Sequence, residues 1–162
     1  MPWPITFLVV EDEDGQYDGL IGVLRSVCAG LGLEERESGS MSFWVYRAQN
    51  QEEARSRLQA YESERPTLII IFDIVIEPIN PKDISMDRFI HQQLAEADTY
   101  LAQACVIIYS VIHRARFDSR LRDYLEHHPE AAHVVFRNDP RETFRRALRV
   151  CLTAKMAEAD NG

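Results

Sequence analysis

The chain has 162 residues, 46% of them hydrophobic and 27% charged, which leaves room for one ordinary domain whose core buries about two-thirds of the unfolded surface. That composition excludes a chain disordered throughout, and no apolar stretch reaches the roughly 18 residues of a membrane-spanning helix. The formal net charge of −8 argues against general nucleic-acid binding, which needs clustered Lys and Arg. The charge is uneven: residues 1–113 carry 8 basic and 18 acidic side chains, residues 114–162 carry 10 and 8, so the last third is the less acidic surface.

The start, MPWPITFLVV, has no basic leader and only a short apolar run. It predicts a first strand over 5–10 rather than a signal peptide, and a cytoplasmic protein. Tyr17, Leu20, Ile21, Leu24, Val27, Cys28 and Leu31 recur three and four apart, as on one helix face, and Gly30 and Gly32 end that helix. A polar turn, LEERESGS, leads to a strand SFWVYR (42–47) and a helix over 51–63 with Ala54, Leu58 and Tyr61 inward. Leu68 to Phe72 run without alternation, the pattern of a strand covered on both faces inside a parallel sheet, and Asp73 terminates the run. IEPINPKD (76–83), with two prolines, is a loop. Met86, Ile90, Leu94, Ala97 and Leu101 mark the next helix, ACVIIY (104–109) a second doubly covered strand, and Phe117, Leu121, Tyr124 and Leu125 another helix. HVVF (133–136) is a fifth strand, and Phe144, Leu148, Cys151 and Leu152 face inward from a final helix, with Asp139, Pro140 and Glu142 suited to its N-cap and first turn. Five strand–helix pairs of this kind predict an α/β fold with a parallel sheet and right-handed crossovers, in a single domain over 1–152 followed by a short tail at 153–162.

Cys28, Cys105 and Cys151 show no CxxC spacing, which argues against a disulfide framework or a zinc site, and they are expected to be small core hydrophobes. His91, His113 and His133 form no ligand spacing, and His127–His128 ahead of a proline is expected to be a helix end. Trp3, Phe43, Trp44 and Tyr46 are expected in packing. Arg141, Arg145, Arg146 and Arg149 make a basic stripe on the last helix, a solvated face or a partner contact.

Ligands of open α/β sheets bind beyond the carboxyl ends of the strands. Glu11 and Asp12 leave the first strand at that edge, and Asp73 leaves the third; if those strands are neighbours, three carboxylates converge. Like charges raise one another's pKa, and a hard cation with oxygen ligands, Mg²⁺ foremost, resolves the conflict. Ser110, at the end of the fourth strand, would offer a hydroxyl to an anionic oxygen at the same rim. A metal, a nucleophilic aspartate and a donor for the transferred group are the parts of acyl-phosphate chemistry.

FLVVEDED with its following helix, LIIIFDIVIEP and VIIYS together resemble the receiver domain of two-component response regulators, from about residue 5 to 152. The resemblance implies a (βα)5 flavodoxin-like doubly wound sheet of order 2-1-3-4-5. It implies Asp73 as phosphoacceptor, Glu11, Asp12, Asp73 and the Val75 backbone carbonyl as Mg²⁺ ligands, Ser110 as the hydroxyl that bonds the phosphoryl group, and Phe136 as the switch aromatic. The implied partners are a sensor kinase or phosphotransfer protein, with a downstream protein meeting the Arg141/Arg145/Arg149 helix, or a second copy in a homodimer. The chain departs from the pattern after strand five, where FRNDP replaces the lysine and proline. Alignment on charge selects Arg137 as the substitute cation, whereas alignment on the proline puts Asp139 there. The proline after Asp73 comes one residue late, the 76–85 loop is long, and Val111 stands where a small residue is expected. The expectation is a stand-alone receiver-like signalling protein, with two alternatives. One is a pseudo-receiver that binds a protein or dimerises without phosphate. The other is a Toprim-like metal-dependent nuclease, suggested by VEDEDGQYDGLIGVL but lacking the second aspartate expected two residues after Asp73.

Overall fold

The computed structural model describes residues 4–74, 76, 81–95, 103–110, 112–136 and 141–161, with side chains described as far as 158. Val75, Val111, Arg137, Asp139, Pro140 and most of the 76–80 loop lie outside the described residues, as do Ala97 and Leu101 of the third helical face.

The elements follow in the order β1 (Ile5–Val10), α1 (Asp14–Gly30), β2 (Glu34–Glu35), β3 (Ser42–Ala48), α2 (Gln51–Glu64), β4 (Thr67–Asp73), α3 (Met86–Ala95), β5 (Cys105–Ser110), a 3₁₀ turn at Arg114–Arg116, α4 (Ser119–His127), β6 (His133–Phe136) and α5 (Arg141–Asn161). All strand pairings are parallel, in the order β2-β3-β1-β4-β5-β6. The five predicted strands therefore stand in the 2-1-3-4-5 order of a flavodoxin-like doubly wound fold, with one strand added at an edge. That extra strand, β2, falls in the segment expected to be a polar turn. Its two exposed glutamates carry no hydrophobic signal, and it is defined by pairing with Ser42 and Phe43. The final helix also runs past residue 152 to Asn161.

Local chemistry sets several boundaries. α2 starts where Asn50 Oδ1 accepts the Glu53 N–H at 2.9 Å while the Glu53 carboxylate accepts the Gln49 N–H, a reciprocal capping arrangement. It stops at Arg65, which takes the left-handed conformation (φ 50°) just before Pro66. α1 ends through Gly32 (φ 78°), which lets the Leu33 N–H turn back to Cys28 O.

The sheet separates two apolar layers. Leu8, Val10, Ile70, Phe72, Val106 and Ile108 meet α2, α3 and α4 through Leu58, Phe89, Ile90 and Leu121. Phe7, Val9, Ile69, Ile71 and Ile107 meet α1 and α5 through Leu24, Cys28, Leu148 and Leu152. β1 and β4 are buried on both faces, which is why their sequences do not alternate.

The cysteine expectation needs correcting. Cys28 is a free, buried thiol, but Cys105 on β5 and Cys151 on α5 form a disulfide across 46 residues, with Cα atoms 5.8 Å apart. Sequence spacing does not reveal this pair, because the packing of α5 on β5 creates it.

Ile69 has no exposed surface and sits in β4, one of the two central strands, so Ile69→Ala is expected to lower unfolding free energy by about 2–5 kcal/mol. Val150→Ala, on the exposed side of α5, is expected to stay within about 0.5 kcal/mol. Urea denaturation of the two variants checks the contrast.

Candidate functional site

β1 and β4 are adjacent and in register, Val10 opposite Phe72, so the residues that follow at their carboxyl ends, Glu11 and Asp73, are side by side. Carboxylate oxygens of Glu11, Asp12 and Asp73 lie within 4.8 Å of one another. Glu11 has no exposed surface, Asp73 is 3% exposed, and Asp12 faces solvent. The expected convergence of three acids is therefore present, with two members inside and one at the mouth.

Glu11 Oε1 accepts the Glu13 N–H at 3.1 Å, while Oε2 is buried without a hydrogen-bonding partner among the described residues. Burial, and then the neighbouring Asp73 carboxylate, push the Glu11 pKa up from 4.5 to about 8 against the opposing Glu13 N–H. Three carboxylates so close together, one of them open to water, offer oxygen donors that suit Mg²⁺ or Ca²⁺ better than a soft metal.

Sequence reasoning missed Arg47. From β3 its Nε donates to Glu11 O at 3.1 Å, its Nη1 pairs with Asp14 at 2.8 Å, and its guanidinium lies over the Tyr17 ring, 4.4 Å from the centroid. Its Nη2 is buried without a partner among the described residues. Arg47 thus ties the backbone at Glu11 to Asp14 and Tyr17 at the start of α1. The only signal in the sequence is a charge near the carboxyl end of a strand in a β-rich segment.

Ser110 ends β5 opposite Phe136 and is fully buried. Its hydroxyl donates to Ile112 O and accepts the Ile112 N–H, both at 3.0 Å, so its single proton is directed into its own turn. Phe136 stacks on His113, with ring centroids 6.1 Å apart and planes at 17°. It also lines a cleft of about 560 Å³ between α1 and α5, together with Gly15, Gly19, Tyr109, Arg141 and Arg145. None of the three carboxylates lines that cleft. The basic stripe is divided by its surroundings: Arg145 reaches Ser26 Oγ on α1 at 3.3 Å, Arg149 pairs with Glu142 at 3.3 Å, and Arg146 faces β6. The remaining candidates, Val75 and Arg137, are outside the described residues.

No known protein family and no curated protein matches the chain. Among the described residues, no helix is long and apolar enough to cross a membrane.

The raised Glu11 pKa sets a direction for stability. The folded chain holds a proton that the unfolded chain releases near 4.5, so this contribution is complete below about 4.5 and is lost as pH rises toward about 8. In chelator-treated protein the urea midpoint is expected to fall across that interval, and Glu11→Gln is expected to flatten the fall. Parallel slopes for the two proteins would show that Glu11 does not carry the proton.

Proposed function

We propose that the chain is a receiver-like signalling protein that accepts a phosphoryl group on Asp73 with Mg²⁺ bound beside it. The observation that carries this reading is the meeting of Glu11, Asp12 and Asp73 at the carboxyl edge of the two central strands, with a buried Glu11 oxygen that receives no hydrogen bond from the other described residues. Glu11, Asp12 and Asp73 would hold the ion, whose charge would offset that of the carboxylates and of the incoming phosphoryl oxygens. The Asp73 carboxylate would bond to phosphorus as the donor's bond to its own leaving group breaks. Arg47 holds the β1 end in position through Glu11 O, and burial of Asp73 limits the water that could hydrolyse the acyl phosphate.

In this reading the donor is a phosphohistidine of a sensor kinase or phosphotransfer protein, or a small acyl phosphate, in the cytoplasm. The β5, β6 and α5 side, including Phe136 and Arg141, then meets a downstream protein or a second copy. Phosphorylation would require the Ser110 hydroxyl to turn from Ile112 O, and Arg137 is the nearest cation in sequence to the missing lysine.

That same hydroxyl favours a second reading. With the Ser110 proton engaged, Asp73 almost fully covered and FRNDP in place of a lysine directly after β6, the fold would serve as a pseudo-receiver that binds protein without phosphate.

Incubation with acetyl phosphate and Mg²⁺, followed by intact mass measurement, separates the two. The expected result is a single phosphoryl adduct that EDTA prevents and Asp73→Asn abolishes. No adduct, while a functional receiver is labelled in parallel, would overturn phosphorylation and leave the pseudo-receiver.

A further inference from the structure

A second cluster of metal-ligating side chains lies on the α5 face of the sheet, below the carboxylate edge. β5 contributes Cys105 and β6 contributes His133; His133 pairs with Ile107, two residues along from Cys105, so both side chains leave the same face. α5 lays Cys151 over them. One ligand atom from each of the three lies within 4.8 Å of the others. We propose that Cys105, His133 and Cys151 form a zinc-class metal site that exists only when the Cys105–Cys151 disulfide is open, so that the two sulfurs bind either each other or a metal ion.

The chemistry of the donors supports this assignment. Two sulfurs and an imidazole nitrogen are a borderline-soft set that favours Zn²⁺ over Mg²⁺, so the cluster does not duplicate the all-oxygen site at Glu11 and Asp73. Ligands on one tetrahedral zinc stand about 3.5–3.8 Å apart, given zinc bonds near 2.0–2.3 Å. The three side chains already converge to nearly that spacing, and opening the disulfide gives the sulfurs the separation that they need. Two thiolates, a neutral imidazole and a divalent ion sum to zero charge, which suits a place where Cys151 is fully covered and Cys105 and His133 are half-buried.

Access is also present. His133 lines a groove of about 220 Å³ with Val134, Thr143, Arg146 and Val150, so the imidazole side of the cluster is open to the surface while neither cysteine lines that groove. Lys155, one turn beyond Cys151, is held by Gln103 O and the Glu158 carboxylate and does not occupy the site. The remaining thiol, Cys28, is buried, and burial pushes its pKa up to about 12, which makes it a poor competing ligand.

The exchange between states balances as thiol–disulfide chemistry. A dithiol gives two electrons and two protons to the Cys105–Cys151 bond, yielding two protein thiols and the disulfide of the reductant. Metal loading then releases the two thiol protons to solvent. In the reverse direction a small-molecule disulfide takes two electrons from the two metal-bound sulfurs, which join as the Cys105–Cys151 bond; the small molecule takes two protons from solvent to become two thiols, and the metal leaves.

The test uses the full chain with Co²⁺ as probe. Protein reduced with dithiothreitol under nitrogen and freed of reductant is titrated with Co²⁺, then with Zn²⁺. Reduced protein is expected to develop thiolate-to-cobalt charge-transfer absorption that saturates at one ion per chain and disappears when Zn²⁺ displaces the probe. Protein oxidised with glutathione disulfide is expected to show none of it, with free thiols reduced from three to one. His133→Ala is expected to weaken Co²⁺ binding at least about tenfold, while Cys28→Ser leaves it unchanged. Cobalt at the carboxylates gives no thiolate band, so the two sites are read separately, and circular dichroism checks that every sample is folded. Absence of the band in folded, reduced wild-type protein overturns the proposal. So does a band that survives oxidation, oxidation that leaves all three thiols free, a band lost in folded Cys28→Ser, or unchanged affinity in His133→Ala.

Discussion

Two carboxylates resist being ionised together where water is excluded, and β1 and β4 deliver Glu11 and Asp73 to such a place. The strands cannot relieve the conflict by sliding. A shift of one residue in β4 would exchange Ile69 and Ile71 with Leu68, Ile70 and Phe72 between the two apolar layers, and every one of those side chains is buried. The position of the acids is therefore imposed by the core, while their protonation is left to a proton or a cation. Asp12, exposed beside them, adds a third donor without a comparable desolvation cost and connects the buried pair to solvent. Arg47 then tightens the same edge from the backbone side, holding Glu11 O and Asp14 at once.

What the sequence made legible follows the strength of hydrophobic patterning. Strands β1, β4 and β5 carry uninterrupted apolar runs, and α1 carries a regular stripe, so their placement and the position of Asp73 at a strand end could be read directly. β2 could not, because two exposed glutamates become a strand only by pairing with β3. Ser110 ends β5, as its apolar run implies, yet the bonds of its hydroxyl depend on how the chain turns at Ile112, which residue identity alone does not specify. Arg47 was hidden because its partners, the Glu11 carbonyl and Asp14, are brought to it by the alignment of β3 with β1.

The sulfur and histidine cluster was hidden for a related reason. Local spacing rules recognise ligands that one loop or one helix presents together. Cys105, His133 and Cys151 come from three separate elements, and only the order of strands across the sheet brings them together. The covalent link between β5 and α5 also gives this side of the sheet a tie that the α2, α3 and α4 side lacks among the described residues. Any rearrangement of β6 relative to β5 takes place next to an anchored helix.

The two borders of the sheet differ in how they would receive a neighbour. At one border β2 offers only two residues, both glutamates, one paired with Arg25 and the other with Arg36. Backbone pairing there would be brief and crowded by charged side chains, a known way to keep sheets from joining edge to edge. At the other border β6 is twice as long and includes Val134 and Val135. The β6 border therefore presents a longer and less charged row of backbone groups than the β2 border, so the two edges of this sheet are not equivalent.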